Sequence, residues 1–167
     1  MSVIEMIHER KVKTPTESKV EWFKAVQKGD ININNGLFGG RLLSWMDEVA
    51  GIAAIRHCGR TVTTAAIDNL TFKKGLILGD LVVIEAKVTY VGNTSLEVRV
   101  DVYKEDIEEG KRYSVNRAFF TEVCIDEQGR PIRIPYGLRV ETLSERADYE
   151  GAEKRIACRK ERMKEGF

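Results

Sequence analysis

Two adjacent acidic residues stand inside a segment where an ionised carboxylate is costly. Asp47 and Glu48 lie within residues 41–57, which are otherwise rich in apolar side chains and contain no proline. A carboxylate in apolar surroundings costs free energy unless it is paired or solvated. Each of the two therefore reaches solvent, pairs with Arg41 or Arg56, or takes part in chemistry. Asp47 falls close to the core side of the expected helix, which makes it the stronger candidate for a chemical role.

Two consecutive glycines, Gly39 and Gly40, open the same segment. The first N–H groups of a helix have no internal partner and carry the positive end of the helix dipole. Because glycine has no side chain, a substrate carbonyl could approach these groups closely, as in an oxyanion site. Asp47 lies about 10 Å further along the axis at 1.5 Å per residue. With an asparagine from residues 32–35, this set would suit acyl transfer to water; a tightly packed loop is the alternative interpretation.

The periodicity of the sequence predicts the elements that position these residues. Residues 41–57 predict a helix that is apolar almost all round and ends at Gly59. Alternating apolar and polar residues predict four antiparallel strands in meander order after this helix. We expect these strands at residues 62–72, 81–91, 96–102 and 113–125. One strand is expected before the helix, and a charged, exposed helix at residues 144–164, with Ser144 as its cap, after the sheet.

The expected sheet and helix form an α+β arrangement. A flat sheet can cover only one side of a helix, whereas the expected helix is apolar almost all round. The sheet must therefore curl around the helix, and we expect a second subunit to cover the rest. Burial alone thus predicts an oligomer.

The composition excludes several classes of function. The chain has 167 residues, with 27 Lys and Arg against 26 Asp and Glu and a net charge of +1. This balance gives no global field for nucleic acid or for an acidic membrane surface. The three cysteines form no CxxC pair, so neither a disulfide framework nor a metal site is indicated. The sequence has neither an apolar signal-peptide core nor an apolar run of about 20 residues. We therefore expect a cytoplasmic protein with one domain over residues 1–167, of which residues 139–167 form a helical tail.

The segment from Asn32 to Ala50, NINNGLFGGRLLSWMDEVA, resembles the acyl-CoA thioesterases of the hotdog superfamily. It is most similar to the cytosolic acyl-CoA hydrolase branch, which shows an asparagine, then a Gly-Gly pair, then a helix carrying Met-Asp or Met-Asp-Glu. Further similarity at residues 50–58, 62–72 and 92–98, and in the charged terminal helix, extends the resemblance over most of the chain.

This resemblance implies a hotdog fold, in which a curved antiparallel sheet wraps around one long helix. It implies hydrolysis of acyl-CoA to a free fatty acid and CoA. Asp47 would be general base or nucleophile, Asn32 would orient the reactants and the N–H of Gly40 would polarise the thioester carbonyl. Asn34 and Asn35 are the alternatives to Asn32. The Asn and the Asp of one site would come from different subunits of a homodimer, and the family commonly builds trimers of dimers. No cofactor is implied, because CoA is part of the substrate and of the product.

The CoA moiety has several candidate contacts under this resemblance. The turn at residues 92–95 resembles the family hairpin that touches pantetheine and phosphates, and free donors in a turn suit anions. A plain hairpin turn is the alternative. Lys73 and Lys74 are expected near that hairpin. For these lysines and for the arginines of the terminal helix, the alternative is a solvated side chain that does not bind CoA. The full set of candidates is Gly39, Lys73, Lys74, Asn93, Thr94, Ser95, Arg155 and Arg159.

Two other functions stay open at this point. A hotdog dehydratase acting on acyl thioesters needs an acid paired with a histidine. His57 lies about 15 Å from Asp47 along the helix, too far for such a pair, and His8 would have to come from elsewhere. The second alternative is a non-catalytic module that binds acyl-CoA as a sensor, in which Asp47 would have no purpose.

The remaining large side chains of the helix have simpler expected roles. His57, at the end of the helix, is expected to interact favourably with the negative end of the helix dipole and to cap the helix rather than to act in catalysis. Trp45, Phe38 and Met46 are expected to lie in the core, with the lining of an acyl channel as the alternative.

Overall fold

The computed structural model describes residues 10–72 and 74–167. Within these residues the chain forms, in order, strand β1 (Val12–Lys13), helix α1 (Pro15–Ser18), strand β2 (Val20–Ala25), a 3₁₀ turn (Lys28–Asp30), helix α2 (Gly39–Cys58), strands β3 (Val62–Asp68), β4 (Leu81–Val91), β5 (Ser95–Asp106), β6 (Lys111–Cys124) and β7 (Gly137–Leu138), and helix α3 (Leu143–Glu165). The strand expected at residues 62–72 is shorter, because Asn69 takes a left-handed conformation with φ of 62° that ends the extended backbone.

Five strands form one antiparallel sheet in the order β2-β4-β5-β6-β3. Strands β4, β5 and β6 make the expected meander, but β3 pairs with β6 at the far edge. The prediction of a meander from β3 onward was therefore wrong. Hairpin loops have about 2–5 residues, and the connection of residues 69–80 is longer, so it carries the chain past β6 and β5 to β4. Strands β1 and β7 pair separately and in parallel.

Helix α2 packs against one face of this sheet. The helix begins at Gly39 and ends at Cys58, and Gly59 closes it in the left-handed conformation with φ of 65°. Alternate residues of β5 and β6 point toward the helix and form the apolar core with it. The helix residues with no exposed surface in this core include Met46, Ala50, Ala53 and Ala54. One long helix against an antiparallel sheet is the α+β arrangement that the sequence predicts.

Helix α3 lies across the opposite face of the sheet. Arg99 of β5 binds Asp148 of α3 at 2.8 Å, and the rings of Tyr90 and Tyr149 have centroids 5.0 Å apart. Ala152, on the face of α3 that packs on the sheet, is fully buried. The terminal helix is thus docked on the sheet rather than solvated on all sides. No helix within residues 10–72 and 74–167 is long and apolar enough to cross a lipid bilayer.

Thr142, and not Ser144, caps the start of α3. The Thr142 hydroxyl accepts the N–H of Glu145 at 3.1 Å, and the Glu145 carboxylate accepts the N–H of Thr142 at 3.1 Å. This reciprocal capping box satisfies two N–H groups at once. The prediction of Ser144 as the cap was wrong because Ser144 already lies inside the helix.

One side of α2 is left open beside the edge strand β3. Ile52 and Ile55 are each 47% exposed, and residues 63–65 of β3 are exposed as well. The outer backbone groups of an edge strand are free to pair with another chain. A single chain therefore leaves part of its central helix uncovered, as expected for a helix that is apolar almost all round.

Candidate active site

Asp47 projects from the middle of α2 toward the edge strand β3. Its Oδ1 accepts a hydrogen bond from Thr64 Oγ1 at 2.7 Å, and the side chain is half-buried. The two arginines considered as partners are engaged elsewhere, since Arg41 lies 3.4 Å from Asp30 and Arg56 donates to a backbone carbonyl. No cation of the described residues therefore neutralises the Asp47 carboxylate, which is available as a base or as a nucleophile.

A second carboxyl group lies on the other side of the Thr64 hydroxyl. Thr64 of β3 and Glu122 of β6 are paired across the sheet, and Thr64 Oγ1 lies 3.1 Å and 3.3 Å from the two oxygens of Glu122. Glu122 is only 1% exposed. Burial, reinforced by the nearby charge of Asp47, raises the pKa of Glu122 to about 7. The pairing register shifts directly after Thr64, and such a bulge redirects side chains at a sheet edge.

Asn32 organises the loop that leads into α2. Its Oδ1 accepts the backbone N–H groups of Asn34 at 2.8 Å and of Gly36 at 3.2 Å. Asn35 adopts the left-handed conformation with φ of 60°, which asparagine tolerates. Asn34 and Asn35 are exposed, whereas Asn32 is half-buried. Among the three candidate asparagines, Asn32 is thus the one whose side chain the loop holds in place, and its Nδ2 amide is left to face a ligand.

The start of α2 is bare, as its two glycines predict. Within the described residues, the N–H groups of Gly39 and Gly40 donate no hydrogen bond and no side chain caps the helix. A Cβ on Gly40 would lie 2.6 Å from the ring of Phe38, so a larger residue at this position would require the Phe38 ring to move. Phe38 precedes the helix and is 56% exposed, so its expected place in the core was wrong. Trp45 and Met46 are buried, as expected.

Asn32 and Gly39 line the same cavity of about 310 Å³ at the helix start. Phe72 and Leu76 give the cavity an apolar wall, and Lys74 adds a cation at its rim. An amide, a helix start and a positive charge therefore meet at one apolar pocket. Such a combination suits a ligand that has an apolar part and a carbonyl or an anionic group.

The lysines were expected near the β4–β5 hairpin, and for Lys74 this was wrong. Lys74 donates to the carbonyl of Ser114 in β6 at 3.2 Å, whereas the hairpin adjoins Val123 of the same strand. These two positions of β6 are about 30 Å apart at 3.3 Å per residue. The loop after β3 runs past the helix start instead and carries Lys74 there. Lys73 lies outside the described residues.

The β4–β5 hairpin borders a second cavity of about 310 Å³. The residues that line it include Asn93, Thr94, Ser95, Arg159 and Lys160. The hairpin backbone is fixed, since the carbonyls of Asn93 and Thr94 each accept a backbone N–H at 2.8 Å. Within the described part of the chain, the side chains of residues 93–95 form no hydrogen bond, so their amide and hydroxyl groups are free to bind a ligand.

The two arginines of α3 proposed as CoA contacts differ in their surroundings. Arg155 donates to both carboxylate oxygens of Glu97, at 3.0 Å and 2.7 Å, and stacks 3.4 Å from the ring centre of Phe119. Glu97 is 1% exposed, so Arg155 neutralises a buried carboxylate and does not line the hairpin cavity. Arg159 binds Asp68 but does line that cavity.

His57 is a buried residue of the core and not a compensating charge at the helix end. Its Nδ1 lies 3.4 Å from the hydroxyl of Ser18, and its Nε2 lies 3.2 Å from the carbonyl of Gly137. Burial lowers the pKa of His57, which favours the neutral ring. The expected interaction with the dipole was wrong, because this turn of α2 faces α1 and β7 rather than solvent. His8 lies outside the described residues.

In one chain, the predicted residues gather in three separate places. Asn32, Gly39 and Lys74 share the cavity at the helix start, Asp47 faces β3, and Asn93–Ser95 face the hairpin cavity with Arg159. A single chain therefore does not bring Asn32 and Asp47 into contact.

Sequence reasoning missed Thr64 and Glu122. A signal for Glu122 was present, because it follows Ala118 and Phe120 at even spacing on β6, where inward positions are apolar. A glutamate in such a row is either paired or chemically used. Thr64 gave no comparable signal, since threonine is common in strands.

The sequence matches known thioesterases. A profile of the thioesterase superfamily matches residues 34–111. YkhA of Bacillus subtilis (strain 168), an uncharacterized acyl-CoA thioester hydrolase, is 42% identical over 119 residues, which are 71% of this chain and 69% of that protein. The chain therefore belongs to the thioesterase superfamily, as the resemblance of residues 32–50 predicts.

Solved structures agree with this assignment. The acyl-CoA hydrolase of Staphylococcus aureus, solved in complex with butyryl coenzyme A, coenzyme A and coenzyme A disulfide, is 34% identical with a TM-score of 0.86 over 92% of this chain and 93% of that chain. Variants of that hydrolase with an asparagine, an aspartate or a threonine replaced by alanine give TM-scores of 0.88, 0.86 and 0.85. An apo-hexameric acyl-CoA thioesterase is 33% identical with a TM-score of 0.86 over 92% and 97% of the two chains. The hotdog fold and the enzyme class, a thioester hydrolase, are confirmed.

Proposed function

We propose that this protein hydrolyses acyl-CoA to a free carboxylic acid and CoA, with Asn32, Asp47 and Thr64 in one site. The spacing of these residues carries the proposal. The asparagine, aspartate and threonine replaced in the Staphylococcus aureus hydrolase follow one another at intervals of 15 and 17 residues. Asn32, Asp47 and Thr64 follow one another at the same intervals. Equal spacing in two chains of one fold supports the same assignment in both.

Asp47 supplies the reactive carboxylate. As a general base, it takes a proton from water while the water oxygen bonds to the thioester carbon; the carbon–sulfur bond then breaks and the thiolate takes up the proton. As a nucleophile, its own oxygen bonds to that carbon, CoA thiolate leaves, and water cleaves the resulting anhydride. Both routes need a free carboxylate in a fixed orientation. The hydrogen bond from Thr64 at 2.7 Å provides that orientation.

The start of α2 stabilises the negative charge that develops on the thioester oxygen. The N–H of Gly40 has no acceptor within the described residues, and an oriented donor of this kind lowers the barrier to acyl transfer. Asn32 adds an amide donor at the same cavity, since its Oδ1 is occupied by the loop. These donors hold the carbonyl while Asp47 acts on water or on the carbonyl carbon.

A second copy of the chain completes the site in this proposal. Asn32 lies at the helix start, whereas Asp47 lies about 10 Å further along α2 and faces the open edge of the sheet. Pairing of two β3 edges would cover Ile52 and Ile55 and bring the Asp47 of one subunit toward the Asn32 cavity of the other. The hexameric thioesterase of the same fold supports self-association, and we propose a homodimer assembled into a trimer of dimers.

The CoA moiety is proposed to extend from the helix start to the hairpin cavity of another subunit. Gly39 and Lys74 serve the cavity at the helix start. The hairpin cavity offers unpaired amide and hydroxyl groups for pantetheine from Asn93, Thr94 and Ser95. Arg159, which is also bound to Asp68, adds a cation for the phosphates. Arg155 is assigned to folding rather than to CoA, because it is committed to Glu97.

Incubation with acyl-CoAs of several chain lengths and a thiol reagent tests the proposed function. The expected result is thiol release by the wild-type protein and release at least about 100-fold slower by Asp47→Ala. CoA binding should survive this change, because Asp47 lies outside both cavities. Tight binding of acyl-CoA without thiol release would instead make the protein a sensor.

A further inference from the structure

The Thr64 hydroxyl lies between two carboxyl groups and carries only one proton. Its oxygen is 2.7 Å from Asp47 and 3.1 Å from the nearer oxygen of Glu122. A hydroxyl donates one hydrogen bond and accepts up to two, and an ionised carboxylate only accepts. If both carboxyl groups were ionised, the single Thr64 proton could form a hydrogen bond to only one of them. The other carboxylate would then face a lone pair of the Thr64 oxygen with no hydrogen bond between the two oxygens. One carboxyl group must therefore carry a proton and donate a hydrogen bond to Thr64.

Glu122 is the carboxyl group that carries this proton, because it is the more deeply buried of the two. It is 1% exposed, whereas Asp47 is only half-buried, so burial disfavours the charged form more strongly at Glu122. The elements packed against Glu122 supply no positive charge: α2 presents Asp47, β3 presents Thr64, and β5 presents the apolar Leu96. Among residues 10–72 and 74–167, no ion pair includes Glu122, and burial raises its pKa.

We propose that Glu122 is a positioning residue whose protonated carboxyl group donates a hydrogen bond to Thr64 Oγ1 and thereby turns the single Thr64 hydroxyl proton toward Asp47. The inference rests on the proposed function, because Asp47 is the reactive carboxylate there. The hydrogen-bonded side chains of Glu122, Thr64 and Asp47 together then carry one negative charge, which lies on Asp47. When Glu122 ionises, it competes with Asp47 for the Thr64 proton and adds a like charge nearby. Hydrolysis therefore slows as Glu122 loses its proton.

Glu97 provides a matched control in the same sheet. It is also 1% exposed, and its Oε1 also accepts a hydrogen bond from a threonine, Thr89, at 2.7 Å. Unlike Glu122, it is paired with a cation, Arg155, at 2.7 Å. The two glutamates thus share burial and a threonine partner and differ in whether their charge is balanced. Because Glu97 also lines the hairpin cavity, the comparison uses the shape of the pH profile and not the level of kcat/KM.

The test measures kcat/KM against pH for the wild type, Glu122→Gln and Glu97→Gln. Glutamine keeps the shape and the donor of a protonated glutamate and cannot ionise. We expect kcat/KM of the wild type to fall above about pH 7, and that of Glu122→Gln to stay level while matching the wild type at pH 6 within about threefold. Glu97→Gln should keep the fall. A fall in Glu122→Gln at the same pH as in the wild type overturns the proposal, as does a loss of about 100-fold at pH 6 in a folded Glu122→Gln protein.

An infrared difference spectrum separates this inference from the proposed function. The wild type at pH 6 should show the carbonyl band of a protonated, buried carboxyl group, and Glu122→Gln should lack it. Absence of the band from the wild type overturns the proposal even if hydrolysis occurs. If the band is present but no acyl-CoA is cleaved, the proton on Glu122 is supported, while its role in hydrolysis and the proposed function both fail.

Discussion

Thr64 Oγ1 lies 2.7 Å from Asp47 Oδ1 and so ties the middle of the central helix to the edge of the sheet. The Asp47 carboxylate is thus held at β3, an edge strand whose outer backbone groups can pair with another chain. A half-buried carboxylate at such a boundary is accessible to water and to a ligand.

Replacing Thr64 with valine should slow hydrolysis while the fold survives. Valine keeps the branched shape that suits a strand but removes the hydroxyl that orients Asp47. A hydrogen bond to a charged group contributes about 1.5–3 kcal/mol, so kcat should fall by about 10- to 100-fold. Steady-state kinetics would measure this, with Thr63→Val as the control, because Thr63 is exposed on the same strand. Equal losses in both variants would show a general effect on β3.

Asn32→Asp should separate the chemical role of Asn32 from its role in the loop. Aspartate keeps an oxygen for the N–H groups of Asn34 and Gly36 but lacks the amide donor and adds a negative charge beside the thioester oxygen. We expect kcat to fall by at least about 100-fold with little change in Tm. Asn34→Ala is the control, since Asn34 is exposed. A loss in Asn34→Ala but not in Asn32→Asp would move the assignment to the neighbouring asparagine.

The sequence predicted the helices and strands whose positions follow from local hydrophobic periodicity. The helix at residues 41–57 and the strand at 81–91 have strong periodicity and lie where expected. The position of β3 at the far edge depends on where a long connection leads, which periodicity does not encode. The orientation of His57 and the pairing of Arg155 with Glu97 are contacts between distant segments, so they appear only once the chain is folded.

The candidate site likewise contains some residues that the sequence alone identifies and others that only the folded chain identifies. Asp47 and the two glycines stood out because a charge in an apolar helix and a bare helix start conflict with local rules. Thr64 conforms to the rules of a strand, so it became visible only through its contact with Asp47. In the proposed site, Asn32 and Asp47 come from two different chains, and the sequence of one chain indicates such pairing only through an apolar helix face that a single chain leaves uncovered.

Glu122→Gln should change how the stability of the protein depends on pH. The pKa of Glu122 is raised from 4.5 to about 7 by burial, so between these values the folded chain holds a proton that the unfolded chain releases. The wild type therefore loses stability as pH rises through this window. At about 1.4 kcal/mol per pKa unit, the loss is on the order of 3 kcal/mol, and glutamine abolishes it.

Urea unfolding of both proteins between pH 5 and about pH 8 would measure this effect. The stability of Glu122→Gln relative to the wild type should increase with pH up to about 7 and then level off. For Glu97→Gln, the difference from the wild type should stay nearly constant, because Glu97 is paired with Arg155. A constant difference for Glu122→Gln as well would show that Glu122 does not hold its proton in the fold.

Arg155 and Arg159 should respond differently to replacement although both lie on α3. Arg155→Leu leaves the buried carboxylate of Glu97 without its cation, and such a loss costs about 3–5 kcal/mol. Its KM for acyl-CoA should stay close to that of the wild type, because Arg155 does not line the hairpin cavity. Arg159→Leu removes a cation from that cavity and should raise KM by about tenfold.

Urea unfolding and steady-state kinetics on the same four proteins would decide between these roles. The four are the wild type, the two single variants and the double variant Arg155→Leu with Glu97→Gln. The double variant should regain part of the lost stability, since it removes the unpaired charge. A raised KM in Arg155→Leu with unchanged stability would instead place Arg155 against CoA.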